Sequence, residues 1–205
     1  MKIVAIGAHP DDIEYSCLGT LLKIKERYSA QIYYIVLSNG AASYDIEEGQ
    51  RNKEQQIAFS MSKFDDIIIA DFNDGYINCN IELIKYLDTV LSEITPDIII
   101  THSPNDTHQD HRAVSKAVIS ASRFTKKIFF FRSYSAQCFN PTVYISIDDY
   151  IKQKKSILSI FQSQVQKNLK NGIDFVESAI ALNHFYGTRS FCEYAEGFEV
   201  YRYID

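Results

Sequence analysis

Cysteine gives this chain no framework. Its four cysteines, Cys17, Cys79, Cys138 and Cys192, stand far apart and none is paired as C-x-x-C, which excludes a disulfide scaffold and a sulfur-ligated zinc site. They read as small apolar fillers in a reducing compartment. Positive charge is also scarce: the net charge of -5 leaves no electrostatic footprint for nucleic acid. The most basic stretch, Lys152 to Lys155, reads as one solvated helical turn. No apolar run approaches the roughly 20 residues of a membrane span, and Met1 to Gly7 is too short for the apolar region of a secretory leader. No linker, internal repeat or low-complexity segment interrupts the chain. What remains is a cytoplasmic protein of 205 residues, 46% hydrophobic and 23% charged, suited to one domain over residues 1–205 with a substantial core.

Short apolar runs alternate with amphipathic stretches through the first two-thirds. Ile3 to Ala8, Ile32 to Leu37, Ile67 to Ala70, Ile98 to Thr101 and Ile128 to Phe131 are β-branched or aromatic and nearly all apolar. That is the pattern of strands buried on both faces of a parallel sheet. Between them, Glu14 to Tyr28, Glu48 to Met61, Ile81 to Ile94 and His111 to Ser122 have helical spacing. Pro96 closes the third helix and leads into a strand. This alternation predicts an α/β fold with a doubly wound, mainly parallel sheet. After Arg132 the pattern changes: Val143 to Ile147 and Glu193 to Ile204 read as strands and Ile151 to Phe161 as a helix. The expectation there is a small β-rich C-terminal flap within the same domain.

Histidine is used unevenly. Four of the five histidines fall in two acid-rich segments, His9-Pro10-Asp11-Asp12-Ile13-Glu14 and His102-Ser103-Pro104-Asn105-Asp106-Thr107-His108-Gln109-Asp110-His111. Each directly follows an apolar run, so each is expected at the carboxyl edge of the sheet, where open α/β folds bind ligands. Imidazoles and carboxylates at this density suit a borderline metal such as zinc, with acid–base groups to spare. His9 and Asp12, three apart at a strand-to-helix turn, make with His111 a neutral imidazole pair plus one carboxylate, a common set for a catalytic metal with a position left open. Such a metal supports Lewis-acid hydrolysis of an amide or ester. Asp11 is the natural general base. His108 could stabilise an oxyanion as an imidazolium or protonate a leaving amine, and Asp110 or Asp106 could hold it in its productive tautomer.

Blander readings exist for single residues. Asp11 and Asp12 could cap the following helix, as could Asp106 and Thr107. Arg51 could be an ordinary surface arginine or could reach a polar substrate. His102 could support the cluster or have no role, and isolated His184 reads as a packed or surface histidine. Asp74-Gly75 reads as a turn past a strand end. The coincidence of both loops is what favours a metal centre.

Ala8 to Glu14 and His108-Gln109-Asp110-His111 resemble the AHPDDxE and HxDH signatures of the LmbE-like/PIG-L family of zinc-dependent N-acetylglucosaminyl deacetylases. The likeness runs over nearly the whole chain, through Gly19-Thr20, Arg51-x-x-Glu54, Asp74-Gly75, Lys154 with Ser163-Gln164, and Tyr194-Ala195-Glu196-Gly197-Phe198. Gln109 stands where proline is frequent, and Tyr15-Ser16-Cys17 replaces smaller residues. The resemblance implies a Rossmann-like fold and one divalent ion, zinc or alternatively iron(II), on His9, Asp12 and His111. It implies Asp11 as general base, His108 as the protonated group that stabilises the tetrahedral intermediate, Asp110 supporting His108, and Arg51 contacting the sugar. The implied partner is a small-molecule N-acetylated sugar conjugate, with no nucleic acid and no membrane span; a homo-oligomer is compatible. Three rivals stand beside it. One is a zinc amidohydrolase for a non-sugar amide. Another is a nucleotide-binding module, which would need the G-x-G-x-x-G turn that His9-Pro10-Asp11-Asp12 replaces. The third is a metal-binding protein without catalysis, for which Asp11 and His108 would be superfluous.

Overall fold

The computed structural model describes residues 1–41, 47 and 49–205. Along the chain run β1 (Lys2–Gly7), α1 (Asp12–Tyr28), β2 (Gln31–Val36), α2 (Gln50–Ser62), β3 (Asp66–Ile69), α3 (Ile81–Ile94) and β4 (Ile98–His102). They are followed by α4 (Gln109–Ala121), β5 (Lys127–Phe131), β6 (Val143–Ser146), α5 (Ile151–Leu158), α6 (Gln162–Leu169), α7 (Phe175–Arg189) and β7 (Ala195–Tyr203). The strands form one sheet in the order β3-β2-β1-β4-β5-β7-β6. The first five are parallel, and β7 runs antiparallel to both β5 and β6.

Alternate residues of β1 serve opposite cores. Ile3 and Ala5 pack with Leu18, Leu21, Ala58, Ile157 and Phe175 from the helices on one face. Val4 and Ile6 pack with Leu83, Leu87, Val114 and Val118 of α3 and α4 on the other. Both faces of the strand are therefore apolar, as a doubly wound sheet requires. Burying each such leucine contributes about 1.5–3 kcal/mol relative to exposure. The chain winds outward from β1 through β2 to β3, then returns to place β4 on the other side of β1. This order reversal opens a crevice between the carboxyl ends of β1 and β4, and the two histidine segments follow those two strands.

The expected flap takes a different form. Its two strands, β6 and β7, continue the central sheet, and three helices stand between them. Helices α6 and α7 are not among the elements expected from the sequence. The start of the expected second helix, Glu48, lies outside the described residues; the helix runs Gln50–Ser62. At Gly19 a Cβ would lie 2.8–2.9 Å from three carbons of Ile147, so glycine there lets α1 close on the end of β6. Beside it sits a fully buried ion pair, Lys154 Nζ to Glu196 Oε1 at 2.6 Å. Glu196 also accepts the Gly19 and Thr20 N–H groups, and Lys154 donates to Tyr15 O. The C-terminal strand and helices thus grip the middle of α1, whose first turn carries the acidic motif.

Candidate active site

β1 ends in the buried core and releases the chain at Ala8. The next turn is set by Asp12 rather than by Asp11. Asp12 Oδ2 accepts the N–H groups of Ala8 (3.0 Å) and His9 (2.8 Å), folding the loop back over the start of α1. Asp11 is the helix N-cap residue but makes no side-chain cap bond, so its carboxylate stays in the cleft. On the other loop the N-cap of α4 is His108, whose Nδ1 accepts the Asp110 N–H at 3.2 Å. The capping alternative accordingly holds for neither Asp11 nor Asp106.

Three side chains converge. His9 Nδ1 is 3.3 Å from His111 Nε2, His111 Nε2 is 3.3 Å from Asp12 Oδ1, and His9 Nδ1 is 3.5 Å from Asp12 Oδ2. Bonds of about 2.0–2.2 Å in a tetrahedral site put neighbouring donors about 3.3–3.5 Å apart. The outward nitrogens have carboxylate partners. His9 Nε2 lies 3.0 Å from Asp110 Oδ2 and 3.1 Å from Asp74 Oδ1, and His111 Nδ1 lies 2.9 Å from Asp106 Oδ2. A carboxylate on the outer N–H fixes the tautomer that leaves the inner lone pair for a metal. The donor set therefore fits a divalent ion such as zinc.

Two of these carboxylates are themselves anchored. Asp110 accepts the N–H groups of Gly75 (2.7 Å) and Ile77 (3.2 Å). Asp106 accepts the His108 N–H, the Ser135 hydroxyl (2.6 Å) and the Ser133 hydroxyl. This corrects the sequence expectation for both residues. The Asp110 carboxylate faces His9 and meets His108 only through its backbone N–H, while Asp106 orients His111.

The electrostatics follow from burial and these partners. Burial opposes a charge on His9, but Asp110, Asp12 and Asp74 outweigh it and raise its pKa well above the usual imidazole value. For His111, burial is likewise outweighed by Asp12 and Asp106, giving about 9. Such a field favours positive charge at this spot. Burial alone would raise Asp12, yet His111 and His102 hold it well below the carboxylate range. Asp11 goes the other way: burial raises it to about 6 despite the Arg51 guanidinium, near the poise of a base working at neutral pH. His108 is lowered by burial and by the neighbouring His111 and His9. Its Nδ1 accepts the Asp110 backbone N–H, which leaves Nε2 as the ring nitrogen free to donate.

His9, Asp11, Asp12, His108 and His111 line one cleft of about 510 Å³, within the usual range for small-molecule sites. Its outer wall carries Tyr134, Gln164, Lys167, Asn168 and Phe175, which come from the segment after β5 and from α6 and α7. Arg51 also lines the cleft, but its Nη2 donates to Pro10 O (2.8 Å) and Asp11 Oδ2 (3.0 Å). His102 is fully buried behind the cluster, with Nε2 at 3.1 Å from Asp12 Oδ2. His184 lies on α7, outside the cluster, with Nδ1 against Glu193 O. Sequence reasoning missed Gln55, Ser133 and Ser135 entirely, and gave Asp74 as a turn and a point of family likeness without a role in the cluster.

Comparison with known proteins agrees with the fold and the motifs. Residues 4–122 match the family model described as PIG-L: GlcNAc-PI de-N-acetylase. The chain is 29% identical over 171 residues to the uncharacterized deacetylase YaiS of Escherichia coli strain K12, covering 78% of this chain and 90% of that protein. It is 22% identical over 183 residues to a probable N-acetyl-alpha-D-glucosaminyl L-malate deacetylase 2 of Bacillus anthracis, covering 79% and 80%. Among solved structures, the N,N'-diacetylchitobiose deacetylase of Pyrococcus horikoshii superposes with a TM-score of 0.86 over 98% of this chain and 84% of that one, at 19% identity. At that identity the superposition speaks for the fold.

Proposed function

The chain belongs to the PIG-L family of deacetylases, and on that premise we propose that it removes the acetyl group from an N-acetylated sugar conjugate of the N-acetylglucosamine type. The observation that carries this reading is the convergence of His9 Nδ1, His111 Nε2 and the Asp12 carboxylate within 3.3–3.5 Å, with Asp11 in the same cleft. These three residues would hold one divalent ion, zinc or iron(II). Bound there, the ion supplies Lewis acidity toward an acyl oxygen and lowers the pKa of water.

The chain's own groups do the rest. Asp11 takes a proton from the attacking water and returns it to the departing amine, a cycle suited to a carboxyl poised near 6. His108 Nε2–H donates to the oxygen on which negative charge develops. Asp110 and Asp106 hold the two imidazole ligands in register. The outer wall, which carries aromatic Tyr134 and Phe175 and the amides of Gln164 and Asn168, suits a polar ring with an apolar face. Residues 1–205 act as a single catalytic domain. None of the described helices is long and apolar enough to cross a membrane.

The test is acetate release from a panel of N-acetylglucosaminides, including a nucleotide-linked one, beside acetylated amino acids, with zinc-loaded and chelator-stripped enzyme. Zinc-dependent release from a sugar is expected. Release from acetylated amino acids alone would replace the sugar with another amide.

A further inference from the structure

Asp11 has φ 90° and ψ -23°, a left-handed conformation that residues with side chains keep only when the surroundings over-determine it. Nothing in starting a helix requires this, since an N-cap residue ordinarily sits in the extended region. The constraint comes from α2. Arg51 and Gln55, four apart on one face of that helix, hold the two ends of the Pro10–Asp11 peptide. Arg51 Nη2 donates to the Pro10 carbonyl at 2.8 Å, and Gln55 Oε1 accepts the Asp11 N–H at 3.2 Å. Gln55 is fully buried, and its amide is oriented because Nε2 donates to Glu14 Oε1 at 2.7 Å. A half-turn of the peptide would put its N–H against the guanidinium and its carbonyl against Gln55 Oε1, setting like against like at both ends. The orientation that remains is the one that drives Asp11 to positive φ.

We propose that Gln55 is a positioning residue for Asp11: with Arg51 it clamps the Pro10–Asp11 peptide and so holds the left-handed turn that keeps the Asp11 carboxylate in the cleft beside the histidines. This rests on Asp11 being the general base. It also gives Arg51 a task within the protein, since the nitrogen that holds the peptide is the one that meets Asp11 Oδ2 at 3.0 Å. The cause lies three steps from the effect: a side chain fixes a peptide, the peptide fixes a dihedral angle, and the angle aims a carboxylate.

Gln55→Leu, close in volume, removes the acceptor. In zinc-loaded enzyme it should lower kcat about a hundredfold, the scale of a small misplacement of a catalytic group, with KM and zinc stoichiometry near wild type. In an Asp11→Asn background the same change should cost little more, because groups acting through one another lose their effects jointly. A crystal structure of Gln55→Leu should show Asp11 relaxed to negative φ, a readout independent of any substrate. Full losses that multiply in the double variant, or Asp11 still at positive φ in Gln55→Leu, would overturn the proposal. If Gln55→Leu fails to fold, Gln55→Met, equally without an amide oxygen for the Asp11 N–H, takes its place, and Asp11 still at positive φ there would overturn the proposal equally. A wild-type enzyme without deacetylase activity would sink the functional reading while leaving the crystallographic arm to decide the clamp.

Discussion

His102 lies flat against His111, ring centroids 3.9 Å apart and planes tilted by 14°, while its Nε2 sits 3.1 Å from Asp12 Oδ2. One buried side chain therefore steadies two of the three proposed ligands. Asp12 Oδ2 is occupied by His102 and two backbone N–H groups, which turns Oδ1 toward His111.

His102→Phe keeps a ring against His111 and removes the hydrogen bond to Asp12. Loss of a group that orients a metal ligand costs about 10–100-fold in metal affinity. Competition against a chelator of known zinc affinity should show a loss of that size, and unchanged affinity would assign His102 to packing alone.

The Lys154–Glu196 pair should be felt in stability. Lys154→Met leaves Glu196 charged and fully buried, a change that costs about 3–5 kcal/mol, and the denaturation midpoint should fall accordingly. Lys155→Met, which breaks the half-exposed Lys155–Glu177 pair, should leave the midpoint near wild type. Equal effects at the two sites would contradict the role given to the buried pair in gripping α1.

Glu14 makes stability depend on pH. Burial is the main reason its pKa rises from 4.5 to about 8, against the bond from Gln55. The folded state therefore holds a proton that the unfolded chain releases above pH 4.5. Its contribution is fully present below that value and is lost as pH rises to about 8. Glu14→Gln keeps an oxygen for Gln55 and cannot ionise. Urea midpoints across this window should fall with pH more steeply for wild type than for Glu14→Gln; parallel curves would refute the assignment.

The sheet was legible because its strands are short β-branched runs buried on both sides, so that Ile3 to Ala8 and Ile98 to Thr101 could hardly be read otherwise. Helix α3 was legible to both ends, since Asn80 caps it through the Leu83 N–H and Thr95 ends it before Pro96. Helix α6 was not: Gln162–Leu169 is almost wholly polar, and its start is held by Glu54 of α2, whose carboxylate accepts the Ser163 N–H at 2.9 Å. For α7 the signal is present in Asp174-x-x-Glu177, where Asp174 accepts the Glu177 N–H, a capping pattern at the helix start. In the site, the ligand candidates were visible because histidine and aspartate cluster in sequence. Their supporting partners were misassigned for the same reason. Asp110 is two residues from His108 yet serves His9, 101 positions away, and Gln55 reaches Asp11 across 44. Sequence proximity cannot report contacts made where strands from distant parts of the chain end side by side.

The central claim is that His9, Asp12 and His111 bind the metal while Asp11 moves the proton. It is tested most directly by measuring zinc content and acetate release together, in wild type and in Asp11→Asn. The account predicts one zinc per chain in both and a turnover number about 10²–10⁴-fold lower in the variant. Asp11→Asn with full turnover, or with its zinc lost, would contradict it.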